Sequence, residues 1–563
     1  MHKLILAGAT SLVLSACGGG GGSPGTCVGS AEVCSPARSA ASASGTTLPP
    51  PVGEAKFAAS TSFANQCQMP RSAGASNAFT GVPYNDSAGS LKTELDWIRS
   101  FVNETYLWYD EVPATDLALY GVGATVPFYE PANNAVSQRL LGNGADVTQA
   151  FFNSQRTPLS TPSGKPKDRF HFTYPTAEWE ALLQTGTSVG YGFEAALLSA
   201  APPRKIVVAF TAPRSVAATN GITRGTELLS VDGVDVVNGS AVDTINEGLF
   251  APVSGKTYTF DILDPGSSTR RTVSLTAGPI TLPSVQNVAI LPTPTGSVGY
   301  LLFNDHIVPA ESQLIDAINE FKAADGGTGV RDLVVDLRYN GGGLLRIASQ
   351  LGYMIAGSTT TQGKVFEQFR FNRKNPFGLD DSSATPFLSV SNANVPLPQL
   401  SLARVFVLTS AGTCSASEAL INGLRGVGVE VIQIGGTTCG KPYGFFPTEN
   451  CGTTYFAVQF EGVNHVGFGD YPDGFVPGGT ASLATSVPGC AVADDFTRQL
   501  GDPLEGRLAA ALRYRTDGTC PLAGVTASAK RAGSITVLSD PQLVKSPVRE
   551  NRWLEPLARP ASR

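Results

Sequence analysis

Three short runs in the second half of the chain constrain its fold more than any other feature. LVVDL (333–337) reads as a buried strand, and RVFVLTS (404–410) and VEVIQIG (429–435) read as two further strands. A buried strand belongs inside a sheet that is covered on both sides. Helical patterns separate them. Leu314, Ile315, Ile318 and Phe321 mark an amphipathic helix before the first run, a second helix runs to about Met354, and SASEALINGL lies between the second and third. Strands alternating with helices predict an α/β core with parallel pairing, placed over residues 279–525.

With 563 residues the chain is too long for one hydrophobic core, so two or three domains are expected. Residues 187–278 carry short β-rich runs: SVGYGFEAALL, KIVVAF, GITRGTELLSVDGVDV and KTYTFDIL, with one helical patch, AVDTINEGLF. Ahead of them, residues 76–186 are read as a small helical domain. Leu91, Leu95, Ile98, Val102 and Tyr106 recur at helical spacing there, in a helix expected to end near WYDEVP. Residues 17–75 begin GGGGGSPG and stay rich in Ser, Ala, Gly and Pro, the composition of a tether. Residues 526–563 are left unassigned. The fold class is therefore α+β and multidomain.

The apolar run 4–14 follows His2 and Lys3 and is too short to span a bilayer, so it reads as a secretory signal. Its ending, LSAC, resembles the bacterial lipobox. That resemblance implies loss of residues 1–16, lipidation of Cys17, and attachment to a bacterial membrane facing the periplasm, the outer membrane before the inner. Lys plus Arg (40) against Asp plus Glu (46) gives a net charge of −6 with no long basic run, which argues against nucleic acid as a partner. Of nine cysteines, eight remain beyond Cys17, an even number that favours disulfides in an exported chain. Local pairs are expected: Cys27 with Cys34, Cys439 with Cys451, and Cys490 with Cys520. No Cys/His spacing suggests a metal, and no cofactor is implied.

Three segments of the core carry chemistry together. In LVVDLRYNGGG, the run from Asp336 and Arg338 to Asn340 and Gly341, Gly342 and Gly343 closes a strand with a glycine turn. Such a turn can offer main-chain N–H groups to an oxyanion. In GTCSASEALINGL, Ser415 stands at a helix start. Ser415 and Glu418 read as a capping box, and free amides at that helix end also suit a nucleophile whose substrate becomes anionic. GGTTCGK ends in Lys441, one helix and one strand further on. A serine needs an adjacent base, and a lysine serves once burial lowers its pKa.

DLRYNGGG, SASE and GK in this order resemble the carboxyl-terminal processing peptidases, or tail-specific proteases. The likeness runs from about residue 91 to 515 and includes WYDEVP, KDRFHF and DYPDGFVP. It implies a core of crotonase-like (ClpP/crotonase) topology and a serine endopeptidase with Ser415 as nucleophile and Lys441 as general base. Oxyanion amides would come from Ala416 and Gly342, with Asp336 and Arg338 shaping the turn. Residues 187–278 resemble a PDZ domain. Its carboxylate-binding loop would be Gly190, Tyr191, Gly192 and Phe193, gripping exposed protein C-termini by strand addition.

Family members often place a Gln four residues after the lysine; here that residue is Phe445. This departure leaves a catalytically inactive, peptide-binding protease fold as the alternative. A triad using His306 or His465, Cys414 as nucleophile, and acyl-CoA chemistry are further readings.

Overall fold

The computed structural model describes residues 57–521 except 131–134, 200–201, 375–376, 379–383 and 479–483, together with the backbone of 554–555. The signal segment, Cys17, Cys27, Cys34 and most of the tail lie outside the described residues.

The three apolar runs are central strands of one six-stranded sheet. Its strands are β1 (Val285–Leu291), β2 (Val298–Phe303), β3 (Asp332–Asp336), β4 (Arg404–Thr409), β5 (Glu430–Gly435) and β6 (Gly489–Ala491), lying side by side in that order. β1 pairs antiparallel with β2, and every later pairing is parallel. Helices α1 (Ala310–Gly327), α2 (Leu345–Thr361) and α3 (Ala416–Gly426) lie between successive strands, and α4 (Gly506–Asp517) follows β6.

Alternation at period two divides the strands' side chains between two apolar layers. Leu301, Phe303, Leu333, Val335, Val405, Val407 and Val431 pack with α1, α2 and α3. Tyr300, Val334, Phe406, Leu408, Ile432 and Ile434 pack with Leu508 and Ala511 of α4. The helix read from Leu314, Ile318 and Phe321 buries those three residues fully, while Ile315 stays at the edge of its layer.

Residues 187–278 hold an antiparallel sheet around their own apolar cluster, with the helix Val242–Phe250 closing one side. The entering strand Thr187–Gly190 and the leaving strand Gly278–Thr281 pair with each other as a stem. Arg224 anchors this unit to the core. It donates to Asp494 at 2.5 Å and to the Tyr339 hydroxyl at 2.7 Å.

Residues 76–186 are mixed rather than helical. The helix Leu91–Thr105 is capped by Ser90, and its helical conformation stops at Thr105, three residues short of WYDEVP. A hairpin, Thr125–Glu130 with Ala135–Leu140, and a strand, Phe172–Pro175, accompany the helices. That strand pairs with Thr453–Phe456 of the core, and the apolar cluster of this segment includes Cys414, Tyr443 and Tyr455. Helical spacing near residue 95 is local, whereas a strand whose partner lies 280 residues on leaves little trace in its own segment.

Disulfides join Cys67 to Cys451, Cys414 to Cys439 and Cys490 to Cys520. Only the last pairing among the described cysteines was expected. Cys439 pairs with Cys414 rather than Cys451, because the fold brings Cys67 from the N-terminal segment to Cys451 across a separation of 384 residues.

Candidate active site

The turn between β4 and α3 carries Ser415, which is fully buried and has φ +56° and ψ −117°. A non-glycine residue in this region costs about 1–3 kcal/mol and persists only where its surroundings enforce it. Three contacts enforce it here. Cys414 N–H donates to Asn340 O at 3.1 Å, Ser417 Oγ donates to the same carbonyl at 3.1 Å, and Ser415 N–H donates to Glu418 at 3.1 Å. Ser415 and Glu418 have the capping-box arrangement. Its well-formed bond is the one from Ser415 N–H to the carboxylate, and Ser415 Oγ makes no ordinary hydrogen bond.

Glu418 also reaches the loop after β5. Its carboxylate accepts from Thr438 Oγ1 at 2.5 Å, Gly440 N–H at 2.8 Å and Lys441 N–H at 2.8 Å. The same oxygen, Oε2, takes both Ser415 N–H and Lys441 N–H, so those two main-chain nitrogens lie within about 6 Å of each other. The Cys414–Cys439 bridge ties the two loops a second time. Arg169, from the KDRFHF stretch, donates to the carbonyls of Cys439 at 2.7 Å and Gly440 at 3.2 Å.

Lys441 is fully buried. Its Nζ lies 4.2 Å from the Phe445 ring centre and 5.1 Å from that of Phe170. Burial lowers its pKa to about 7, against the opposing pull of Asp168 and Glu418 and with a smaller push from Arg169. Phe445, four residues after the lysine, is thus part of the buried surround of the amine. Burial pushes Glu418 upward, while its hydrogen bonds from Thr438, Lys441, Gly440 and Ser415 oppose that rise. Burial likewise acts to raise Asp168, but bonds from His171 and Tyr106 hold it below the ordinary carboxylate range.

The glycine turn presses directly on the serine. Gly342 has φ +105°, and a Cβ there would stand 2.8 Å from Ser415 Cβ and 2.9 Å from Ala416 N, so no larger residue fits. The Gly342 N–H, singled out for an oxyanion, donates to Asn340 Oδ1 at 2.9 Å in this conformation. It is committed to the turn itself, because Asn340 folds its side chain under its own loop. Ala416 is the first residue of α3. Arg338 and Asp336 brace the turn from behind: Arg338 donates to Asp336 at 2.9 Å and Glu505 at 2.8 Å in buried surroundings, and to the part-buried Asp494 at 2.6 Å. On the turn's outer side, the backbone of Leu554–Glu555 pairs in parallel with Gly343–Leu344.

The alternative nucleophile and base are accounted for. Cys414 is in a disulfide and has no thiol. The imidazole of His306 sits 3.1 Å from Asn340 Oδ1, with its pKa lowered by burial to about 4. His465 is exposed and accepts from Val365 N–H. Among the described residues, one group of metal-ligating types lies close together, Cys414, Glu418 and Cys439, and both its sulfurs are spent in the bridge.

Residues 297–450, which span β2 to β5 and hold both Ser415 and Lys441, match the family model "Peptidase family S41". This core matches peptidase family S41. The S41 match supports a serine peptidase, in agreement with the resemblance seen in the motifs. A protein of Bacteroides fragilis described as an S41 protease has a similar fold, at 21% identity and TM-score 0.52, over 75% of this chain and 97% of that one. The photosystem II D1 C-terminal processing protease aligns at 20% identity and TM-score 0.42, over 75% of this chain and all of that one. Mature CPAF aligns at 12% identity and TM-score 0.37, over 69% of this chain and 91% of that one. No curated protein matches the sequence.

Away from Ser415 and Lys441, Gly190, Tyr191, Gly192 and Phe193 line a cleft together with Leu249 and Ile280. Tyr191 is buried and donates to Gly248 O at 2.9 Å. Gly192 has φ +91°, and a Cβ there would lie 2.1 Å from Ser215 Cβ. Sequence reasoning brought out Ser415, Lys441 and the glycine turn but missed Arg169, the hydrogen bonds that Asn340 makes within its turn and to the serine loop, and the second role of Glu418. The only sign of the last was the SASE capping box, which gave a complete local explanation and concealed the long-range one.

Proposed function

We propose that the chain is a serine endopeptidase of the carboxyl-terminal processing type, with Ser415 as nucleophile and Lys441 as general base. One observation carries the reading: a single carboxylate oxygen holds both residues' main chains, while aromatic burial holds the lysine pKa at about 7. Neutral Lys441 takes the Ser415 proton as Oγ attacks a peptide carbonyl. The protonated amine then passes that proton to the leaving nitrogen. Water attacks the resulting acyl-enzyme with Lys441 again as base. The Ala416 amide at the positive end of α3 faces the developing oxyanion. The second donor comes from the glycine turn once Gly342 turns its N–H away from Asn340.

The substrate enters as an extended strand along Gly343–Leu344, an edge that takes the chain's own Leu554–Glu555. The preceding unit acts as a PDZ-like receptor, holding an exposed C-terminus at the cleft formed by Gly190, Tyr191, Gly192, Phe193 and the end of the helix Val242–Phe250. A lipid on Cys17 would keep the enzyme at the periplasmic side of a bacterial membrane. Among the described residues no helix is long and apolar enough to cross a membrane.

The test is fluorophosphonate labelling of the chain lacking its signal segment, with peptide mapping and Lys441→Ala in parallel. Label on Ser415 that is lost in the lysine variant supports the dyad. No label, even with C-terminal peptides added, moves the reading to a peptide-binding protein on a peptidase fold.

A further inference from the structure

The Cys414–Cys439 bridge occupies a special place among the three disulfides. Cys414 immediately precedes the nucleophile and Cys439 stands two residues before the lysine, so one covalent bond joins the two catalytic loops. The other ties between those loops are hydrogen bonds: the Glu418 carboxylate to Thr438, Gly440 and Lys441, and Cys439 N–H to Thr413 O at 3.0 Å. Arg169 holds the lysine loop from a third segment.

Neutral Lys441 is a delicate state. Two anions face it, Asp168 from the N-terminal segment and Glu418 from α3, and both favour the charged amine. Arg169 opposes them, and exclusion of water by the closed loops outweighs both. Any loosening that admits water stabilises the ammonium, which then pairs with Glu418 and cannot accept the serine proton.

We propose that the Cys414–Cys439 bridge is the positioning element and redox gate of this centre: oxidised, it holds the lysine loop against the nucleophile loop, and reduced, it leaves the peptidase dormant. The proposal rests on the Ser/Lys reading above. Its consequence is a peptidase that stays silent in a reducing compartment and starts work in an oxidising one. Access favours one direction of attack, since Cys414 is buried and Cys439 is partly exposed. A thiolate of a dithiol reductant attacks Cys439 Sγ, and Cys414 leaves as the thiolate and takes up a proton. The reductant's second thiol then resolves the mixed disulfide. Two protein thiols and one oxidised dithiol result.

The experiment uses the full chain after signal removal, with fluorophosphonate labelling of the oxidised protein as the first step. If Ser415 is not labelled there, the peptidase reading fails and the gate is moot. With labelling established, dithiothreitol is titrated while kcat, KM and the pH profile are followed on a peptide substrate, and alkylation with mass spectrometry reports which cysteines have opened. Cys490→Ser/Cys520→Ser serves as a control, because Cys520 is also exposed. The expected result in parent and control is a loss of kcat of about fivefold at pH 7, growing to about tenfold below pH 6, with KM little changed. The acid limb should move up by about a unit as Cys414 and Cys439 become alkylated, since each unit removes about 90% of the neutral amine below the pKa. Reoxidation should restore activity, and Cys414→Ala/Cys439→Ala should show the same raised limb wherever it folds by circular dichroism. Alkylation of Cys414 and Cys439 with kcat and pH profile unmoved overturns the proposal. So does a loss that tracks Cys67 and Cys451 instead, or a bridge that stays closed at reductant levels that open Cys490–Cys520.

Discussion

The two sites proposed for this chain are built on opposite plans. The cleft at Gly190, Tyr191, Gly192 and Phe193 is nearly all local sequence: four consecutive residues, backed by one helix end and the returning strand. The Ser415 and Lys441 centre draws on the glycine turn, two loops of the sheet, and Arg169 and Phe170 from a segment some 270 residues before the lysine loop. A main-chain binding loop needs only the right turn and an open sheet edge. A catalytic pair needs an uncharged amine, and so a closed apolar surround supplied by several segments.

The largest separation between these plans should come from Ser415→Ala and Lys441→Ala. Each is expected to lower kcat/KM by roughly 10⁴-fold or more while C-terminal peptides still bind, measured by progress curves and fluorescence anisotropy. Loss of peptide binding in either variant would break the division into two sites. Next in size is Glu418→Gln, which keeps the shape but weakens the clamp. We expect kcat to fall by about 10²-fold with KM little changed, as for a misplaced reacting group.

In the proposed mechanism Lys441 acts as the neutral amine with its pKa near 7, so kcat/KM should rise with pH through about 7 and then level off. A profile that falls over that range would contradict a lysine base. The sign for stability follows. The unfolded lysine binds its proton up to a pKa of about 10.4, so between about pH 7 and 10 the unfolded state holds more protons and stability rises with pH. Lys441→Met should therefore be inactive yet have a higher Tm than the parent at pH 7, and the gain should shrink toward pH 10. The smallest effect belongs to Gly192→Val. Its left-handed backbone and the nearness of Ser215 should distort the cleft and raise KM for long substrates by about tenfold, leaving kcat on short peptides unchanged.

How much could be read in advance differs between the same two regions. The central strands and α3 were legible because burial on both faces and helical spacing are written in consecutive residues. Motifs pointed to Ser415 and Lys441, which the structure places on loops joined by Glu418, and glycines pointed to GYGF, which lines a cleft. Glu418 was visible only as a cap, since the partners that give it its second role, Thr438, Gly440 and Lys441, lie 20 to 23 residues away. The Cys414–Cys439 pairing escaped because local spacing favoured Cys451 as the partner of Cys439, and the hairpin at 125–140 because short strands carry weak signals.

The sequence by itself determined the alternating core, the order of its strands and helices, and the residue types available for chemistry, because these follow from periodicity and side-chain type. Only the tertiary structure decided that one carboxylate and one disulfide join the serine and lysine loops, that Phe445 and Phe170 wall the amine, and that the Gly342 amide is held by Asn340. Each depends on groups far apart in the chain meeting in a space closed to water. Desolvation, which sets the lysine pKa, is a property of that enclosure and of no single segment.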